Sequence, residues 1–280
     1  MLKQRIITGL ILAPIMIGGI FFLPVPQFMI FIAAISALGA WEWANLSGIT
    51  NQVARVGYAA LVSLVIYGLH YFGLEQEPDL LYGALIWWVI AFILVRTHPK
   101  FKGLWAATPI RLALGFVIIV PMWIGFVQLK SYPELNTYLI LYVMAIIWGA
   151  DVGAYFAGKA FGKNKLAPKV SPGKTWEGVY GGILTTSIIA VIGGFWLQDK
   201  TFQTFSAEQW VTLFVITLIV TAVSVVGDLV ESMMKRHRGI KDSSNLLPGH
   251  GGVMDRIDSM TAALPVFALA LSLVGWDLKL

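Results

Sequence analysis

Nine stretches of near-continuous hydrophobicity, separated by polar segments, set the plan of this chain. They lie near residues 6–23, 28–46, 56–74, 79–96, 112–129, 137–158, 178–197, 209–234 and 259–276. Each is close to the roughly 20 apolar residues a helix needs to cross a hydrocarbon core. The third and fourth have the least sharp edges, blurred by Tyr67, His70 and the Trp87-Trp88 pair. The first has Lys3 and Arg5 ahead of it, as a signal peptide would. Leu23-Pro-Val-Pro-Gln27 offers no small-residue cleavage site, however, so an uncleaved span is expected. The pattern predicts an all-α, polytopic bundle of about nine transmembrane helices with no soluble domain.

Composition agrees. The 280 residues are 58% hydrophobic and 12% charged, with a mean hydropathy of +0.76. That charged share is about half that of a soluble domain. The absence of cysteine excludes disulfides, thiolate metal sites and cysteine nucleophiles. The net charge of +5 does not call for a nucleic-acid partner, because its distribution has a simpler cause. With the N-terminus inside, 17 of the 20 Lys and Arg fall on the inner face, leaving Lys130, Lys200 and Lys279 outside with the acidic turn Glu75-Gln-Glu-Pro-Asp79. The positive-inside rule therefore predicts N-in, C-out and an odd number of spans.

Two inner loops, 159–177 and 235–258, are long and rich in polar groups, whereas the spans of residues 1–130 contain almost none. A scaffold half, 1–130, and a chemical half, 131–280, are expected. The densest segment runs from Ser232 to Asp258, with five Lys or Arg, a glycine-rich turn and three aspartates. Charge beside hydrocarbon is costly and marks function. Cations hold phosphate oxygens and paired aspartates hold a divalent metal, so the segment points to phosphate chemistry at a membrane surface.

Helical spacing extends the segment backwards. Asp228, Ser232 and Lys235 stand at i, i+4 and i+7 and share one helix face, with Glu231 close to it. A structural pairing of Asp228 with Lys235 or with a neighbouring helix is the plainer account. Asp255 and Asp258, at i and i+3, share a face where the ninth span begins, and acids there also suit the helix dipole. Pro248-Gly-His-Gly-Gly252 precedes them, a turn that allows close backbone approach to a ligand and a nest of N–H groups. Asp228 and Asp255 are candidate Mg²⁺ ligands, with Asp151 and Asp258 as further acids; His250 suits a turn hydrogen bond or a phosphate better than a metal.

The 159–177 loop carries Lys163, Lys165, Lys169, Lys174, Ser171 and Thr175, all able to hold phosphates, or simply to meet anionic headgroups. Gly173-Lys-Thr175 imitates the end of a P-loop, but Pro168 stands where its first glycine belongs and no strand is expected before it, so a Walker site is excluded. Gly149/Gly153 and Gly178/Gly182 suit close helix packing, within one chain or in a homodimer. Trp41, Trp43, Trp87, Trp88 and Trp105 suit interfacial belts, as does Glu42 between two of them. The sequon Asn45-Leu-Ser47 falls on the inner side and is discounted.

Ser232, Lys235-Arg236, Lys241-Asp242, Pro248, His250-Gly-Gly252, Asp255-Arg256 and Asp258 together resemble the motif of the phosphatidate cytidylyltransferases, with no departure inside it. The resemblance extends to Asp228 and the 151–178 region, and the nine-span layout covers the whole chain. It implies a bacterial inner-membrane enzyme, active site facing the cytoplasm, that makes CDP-diacylglycerol and pyrophosphate from CTP and phosphatidate with Mg²⁺ and room for a second cation. On that basis Asp228, Asp255 and Lys241 are expected to be catalytic. Ser171, Lys174, Thr175, Ser232, Lys235, Arg236, His250, Gly251, Gly252 and Arg256 are expected to bind substrate. A CTP-dependent lipid kinase and a membrane transporter are the rival functions; polar groups crowded at one face, not the bilayer centre, disfavour transport.

Overall fold

The computed structural model of the chain describes residues 2–132, 135–201 and 204–275. Lys279, the end of the ninth apolar run at 276, and the side chains of Lys3 and Arg5 lie outside the described residues. The order is α1 (Leu2–Phe22), α2 (Val25–Leu46), α3 (Gln52–Tyr71), α4 (Asp79–Arg96), α5 (Thr108–Ser131), α6 (Asn136–Phe161), β1 (Lys165–Ala167), β2 (Ser171–Thr175), α7 (Trp176–Thr201), α8 (Ala207–Arg238) and α9 (Met254–Val274).

Every expected span is a helix. Among the described residues, eight helices are long and apolar enough to cross a membrane; α1 contributes the shorter apolar stretch Ile7–Phe22. Large apolar side chains such as Leu64, Ile86, Leu184 and Ile192 face outward, as a bundle solvated by lipid tails requires. Helix ends follow local chemistry. Ser206 and Gln209 cap α8 reciprocally, Gln209 N–H to Ser206 Oγ at 3.2 Å and Ser206 N–H to Gln209 Oε1 at 2.8 Å. Gly239, at φ 78°, closes its far end in the left-handed conformation. Lys235, Arg236, His237 and Arg238 fill its last turn, where cations complement the helix dipole.

Helices α5 and α9 form the buried centre, and both are two-thirds buried along their apolar windows (67% each). A side chain at Gly125 would strike the Leu264 backbone, so glycine there lets α5 approach α9 closely. The same holds between α6 and α7: a Cβ on Gly153 would meet Gly181 O, and one on Gly182 would meet Ala150 O. The glycines compatible with a homodimer are thus engaged within the chain.

Two features depart from the sequence pattern. The 159–177 segment contains an antiparallel hairpin, Lys165 opposite Thr175 and Ala167 opposite Ser171. Glu177 pins its base by accepting the Lys163 N–H at 3.1 Å and the Asn164 side-chain amide at 2.7 Å. The tryptophans are mostly core. Trp43, Trp88 and Trp105 are fully buried and Trp87 nearly so; for Trp43 and Trp105 neighbouring helices supply what the interface would. Trp43 Nε1–H donates to Arg111 O at 2.7 Å, and Trp105 packs edge-on against His237. Trp41 alone keeps a belt-like setting, donating to Gln52 and covered by the Arg55 guanidinium.

Long-range bonds gather the polar loops at one end of the bundle. Thr8 Oγ1 donates to Pro248 O at 2.8 Å, Arg238 Nε to Asn45 O at 3.1 Å, and Arg236 Nε to Val170 O at 3.3 Å. At the opposite end, Lys130 Nζ donates to Ile20 O at 2.5 Å, and Gln128 Nε2 to Glu75 O at 3.1 Å. The charge pattern's grouping of Lys130 with the 75–79 turn is therefore spatial.

Candidate active site

At the loop-rich end, α8 and α9 lie side by side with the hairpin over them. Lys174, on β2, reaches across to α8 and holds Asp228 Oδ2 at 2.7 Å. Ser232, one turn on, donates to Asp228 Oδ1 at 3.2 Å. Lys235, the third member of that face, donates to Asp255 Oδ1 on α9 at 2.6 Å and also pairs with buried Glu231. Helical spacing thus gave the face correctly, but Asp228 pairs with Lys174 of the hairpin, while Lys235 turns to α9.

Asp255 is a hub. Its Oδ2 accepts the Gly252 N–H at 2.8 Å and the Ser243 N–H at 2.9 Å, and Ser243 Oγ lies 2.8 Å away. Gly251, at φ 80°, turns the chain here, and a Cβ on it would press on Asp255 Oδ2. Asp258, one turn further, accepts the Ser259 N–H at 2.7 Å. It lies within electrostatic reach of Asp228, Lys174 and Lys235. Asp151, on α6, is in reach of Asp228, Lys174 and Arg256.

Asp151 and Lys174 of this cluster line a cavity of about 340 Å³ whose wall also includes Lys159 and Thr175. That volume is within the range of small-molecule sites. Five carboxylates (Asp151, Asp228, Glu231, Asp255, Asp258) gather with three cations (Lys174, Lys235, Arg256). Glu231 Oε1 is buried without a hydrogen-bond partner. A place with more carboxyl groups than cations and an orphaned carboxyl oxygen offers ligands to a bound cation. Among the described residues no three acids or histidines form a ready-made ligand set.

The other expected residues sit around this cluster. Arg236 ties α8 to the hairpin through Val170 O. Thr175 Oγ1 accepts the Gly178 N–H at 3.2 Å and so caps α7. Ser171 is partly exposed at the start of β2, and Lys241 is exposed in the loop after α8. The His250 N–H closes the turn onto Leu247 O at 2.8 Å, and its ring neighbours Gly9 of α1.

One residue of the site is not among the expected site residues. Glu42, on α2, is fully buried, not interfacial. It accepts the Met254 N–H at 2.6 Å, the Val253 N–H at 3.0 Å and the Ser244 hydroxyl at 2.6 Å, with Ser243 Oγ at 2.9 Å. Ser243 Oγ stands between Glu42 and Asp255 and can donate to one at a time. The signal that finds Glu42 is the one that finds Asp228: a lone acid in an apolar helix.

Sequence comparison bears on what this end of the bundle does. Residues 3–274 match the model of the cytidylyltransferase family. The chain belongs to that family. Family relatives named phosphatidate cytidylyltransferase align along nearly the full length. One from Pseudomonas aeruginosa is 51% identical over 276 residues, covering 99% of both chains. One from Haemophilus influenzae is 39% identical, covering 96% of this chain and 98% of its own. One from Bacillus subtilis is 31% identical, covering 97% and 98%. As a member of the cytidylyltransferase family the chain is a nucleotidyltransferase, and its acid and lysine cluster is the family member's candidate active site.

Proposed function

We propose that the chain transfers the cytidylyl group of CTP to phosphatidate at this cluster, giving CDP-diacylglycerol and pyrophosphate. The observation that carries the assignment to this site is the meeting of five carboxylates and three cations beside a cavity at one end of a lipid-facing bundle. A phosphatidate oxygen attacks the α-phosphorus of CTP in line. The new P–O bond forms as the bond to the β-phosphate oxygen breaks, and pyrophosphate leaves. The attacking phosphate is already anionic, so the step is mainly positioning and charge stabilisation and needs no dedicated base.

Lys174, Lys235 and Arg256 face the phosphates, and the loop cations Arg236 and Lys241 extend the clamp. Asp255 holds the 243–252 turn and Lys235 in register for them. The acid set fits Mg²⁺, which binds by one or two carboxylates and completes its shell with substrate phosphates. Asp228, with Asp258 and Asp151 beside it, would hold Mg²⁺; Asp255 can join only by releasing Lys235. When bound, Mg²⁺ supplies neutralisation of the charge on the transferring group and on pyrophosphate, and the surplus acid leaves room for a second cation.

The positive-inside pattern supports placing this end in the cytoplasm of a bacterial inner membrane, where CTP is available. Purified chain incubated with labelled CTP, phosphatidate and Mg²⁺ tests the proposal. Label in the lipid and release of pyrophosphate are expected. Release of CDP with an unlabelled, phosphorylated lipid would make it a kinase, and no reaction would overturn the assignment.

A further inference from the structure

A second cavity, of about 620 Å³, abuts the first, and Leu166, Val179, Thr221 and Val225 belong to the walls of both. Its depth is hydrocarbon, built from Phe92 of α4, Ile183 of α7, and Leu218, Ala222 and Leu229 of α8. From Leu218 to Leu229 the α8 wall runs about 16 Å at the helical rise. Its rim, at the hairpin end, carries Arg96, His98 and Lys169. None of these three has a carboxylate partner among the described residues. His98 Nδ1 is buried without a hydrogen-bond partner. Burial first, then the charges of Lys102 and Lys169, push the His98 imidazole below the usual histidine range, which marks the rim as electropositive.

An apolar slot with a cationic rim complements an amphiphile that has one anionic head and a long hydrocarbon tail. A nucleotide could meet the rim with its phosphates but has no hydrocarbon to fill the depth. We propose that this groove, between α4, α7 and α8, seats an acyl chain of phosphatidate, with Arg96, His98 and Lys169 facing its headgroup. The assignment of that lipid rests on the function proposed above. The shared wall then sets the lipid phosphate beside the cavity bordered by Asp151 and Lys174. The groove makes the lipid's chain, as well as its phosphate, a determinant of binding.

The test uses the full chain in detergent with phosphatidate bearing a photoreactive diazirine on one acyl chain. Crosslinks are expected on α8 between Leu218 and Leu229 and on α7 between Val179 and Ile183, and unlabelled phosphatidate should compete them away. Crosslinks confined to outward faces, such as Val211 or Ile192, would overturn the groove. Ala222→Trp fills the slot. It should raise KM for dioleoyl phosphatidate by about tenfold or more, as a blocked apolar pocket does, leave KM for CTP unchanged, and shift preference toward dihexanoyl phosphatidate. An unchanged long-chain KM would also overturn it. If the wild-type chain forms no CDP-diacylglycerol yet crosslinks in the groove, the proposed reaction fails and the lipid site stands.

Discussion

Glu42 accepts the Met254 N–H at 2.6 Å, so a carboxylate from α2 caps the first turn of the helix that carries Asp255 and Asp258. A carboxylate at a helix N-terminus satisfies orphan N–H groups and meets the positive end of the dipole. Glu42 does this while also holding Ser243 and Ser244. The N-terminal half therefore positions the chemistry as well as supporting it. Glutamine keeps the shape but has one acceptor oxygen, so Val253 N–H or Met254 N–H would face an NH₂ group. Leaving a buried donor unpaired costs about 1–3 kcal/mol. Glu42→Gln is expected to lower the melting temperature in detergent and to reduce kcat, with KM for CTP little changed. Wild-type kcat and melting temperature together would remove Glu42 from this role.

Asp255→Asn tests the hub in the same way. Asparagine cannot serve Lys235 on one oxygen and the N–H groups of Ser243 and Gly252 on the other. Breaking one side of a buried ion pair costs about 3–5 kcal/mol, here shared between the turn and Lys235. Turnover should be abolished while the protein remains a monodisperse, folded species by size exclusion. Near-normal turnover would show that the hub is dispensable.

Much of this was legible in advance, and the reasons are physical. Hydrocarbon thickness fixes span length, so the nine long helices among the described residues follow from apolar runs. The 3.6-residue period puts Asp228 and Ser232 on one face, and they are bonded. What a helical period cannot give is the partner across space. Lys174 reaches Asp228 only because the segment 165–175 folds as a hairpin, and that segment is too short, charged and rich in Pro and Gly to signal strands. Glu42 is hidden by its tryptophan neighbours, which resemble an interfacial anchor, and by partners more than 200 residues away along the chain. Trp43 and Trp105 mislead for the same reason: a tryptophan whose N–H or ring is satisfied by another helix belongs in the core.

The Lys174 to Asp228 pair, at 2.7 Å, links the hairpin to the acid cluster. Both side chains are about one-quarter exposed, so the pair itself adds little stability. Its worth lies in placing a cation where phosphate charge develops. Lys174→Met should lower kcat/KM by about 10²-fold, the scale of one lost stabilising donor, with the melting temperature nearly unchanged. A large loss of stability with retained kcat/KM would make the lysine structural instead.

Removing divalent metal tests the acid surplus directly. Chelation with EDTA should abolish product formation, and added Mg²⁺ should restore it. Because the five acids outnumber their cations, Mg²⁺ should also bind the chain before substrate. A ligand that binds only the folded state adds about 2.7 kcal/mol at a hundred times its Kd, so Mg²⁺ alone should raise the melting temperature of the wild-type chain. Asp228→Asn should blunt that rise, whereas Lys241→Ala, in the exposed loop, should not. An equal rise in wild-type chain and Asp228→Asn would place the metal elsewhere, and activity that survives exhaustive chelation would exclude it from the reaction.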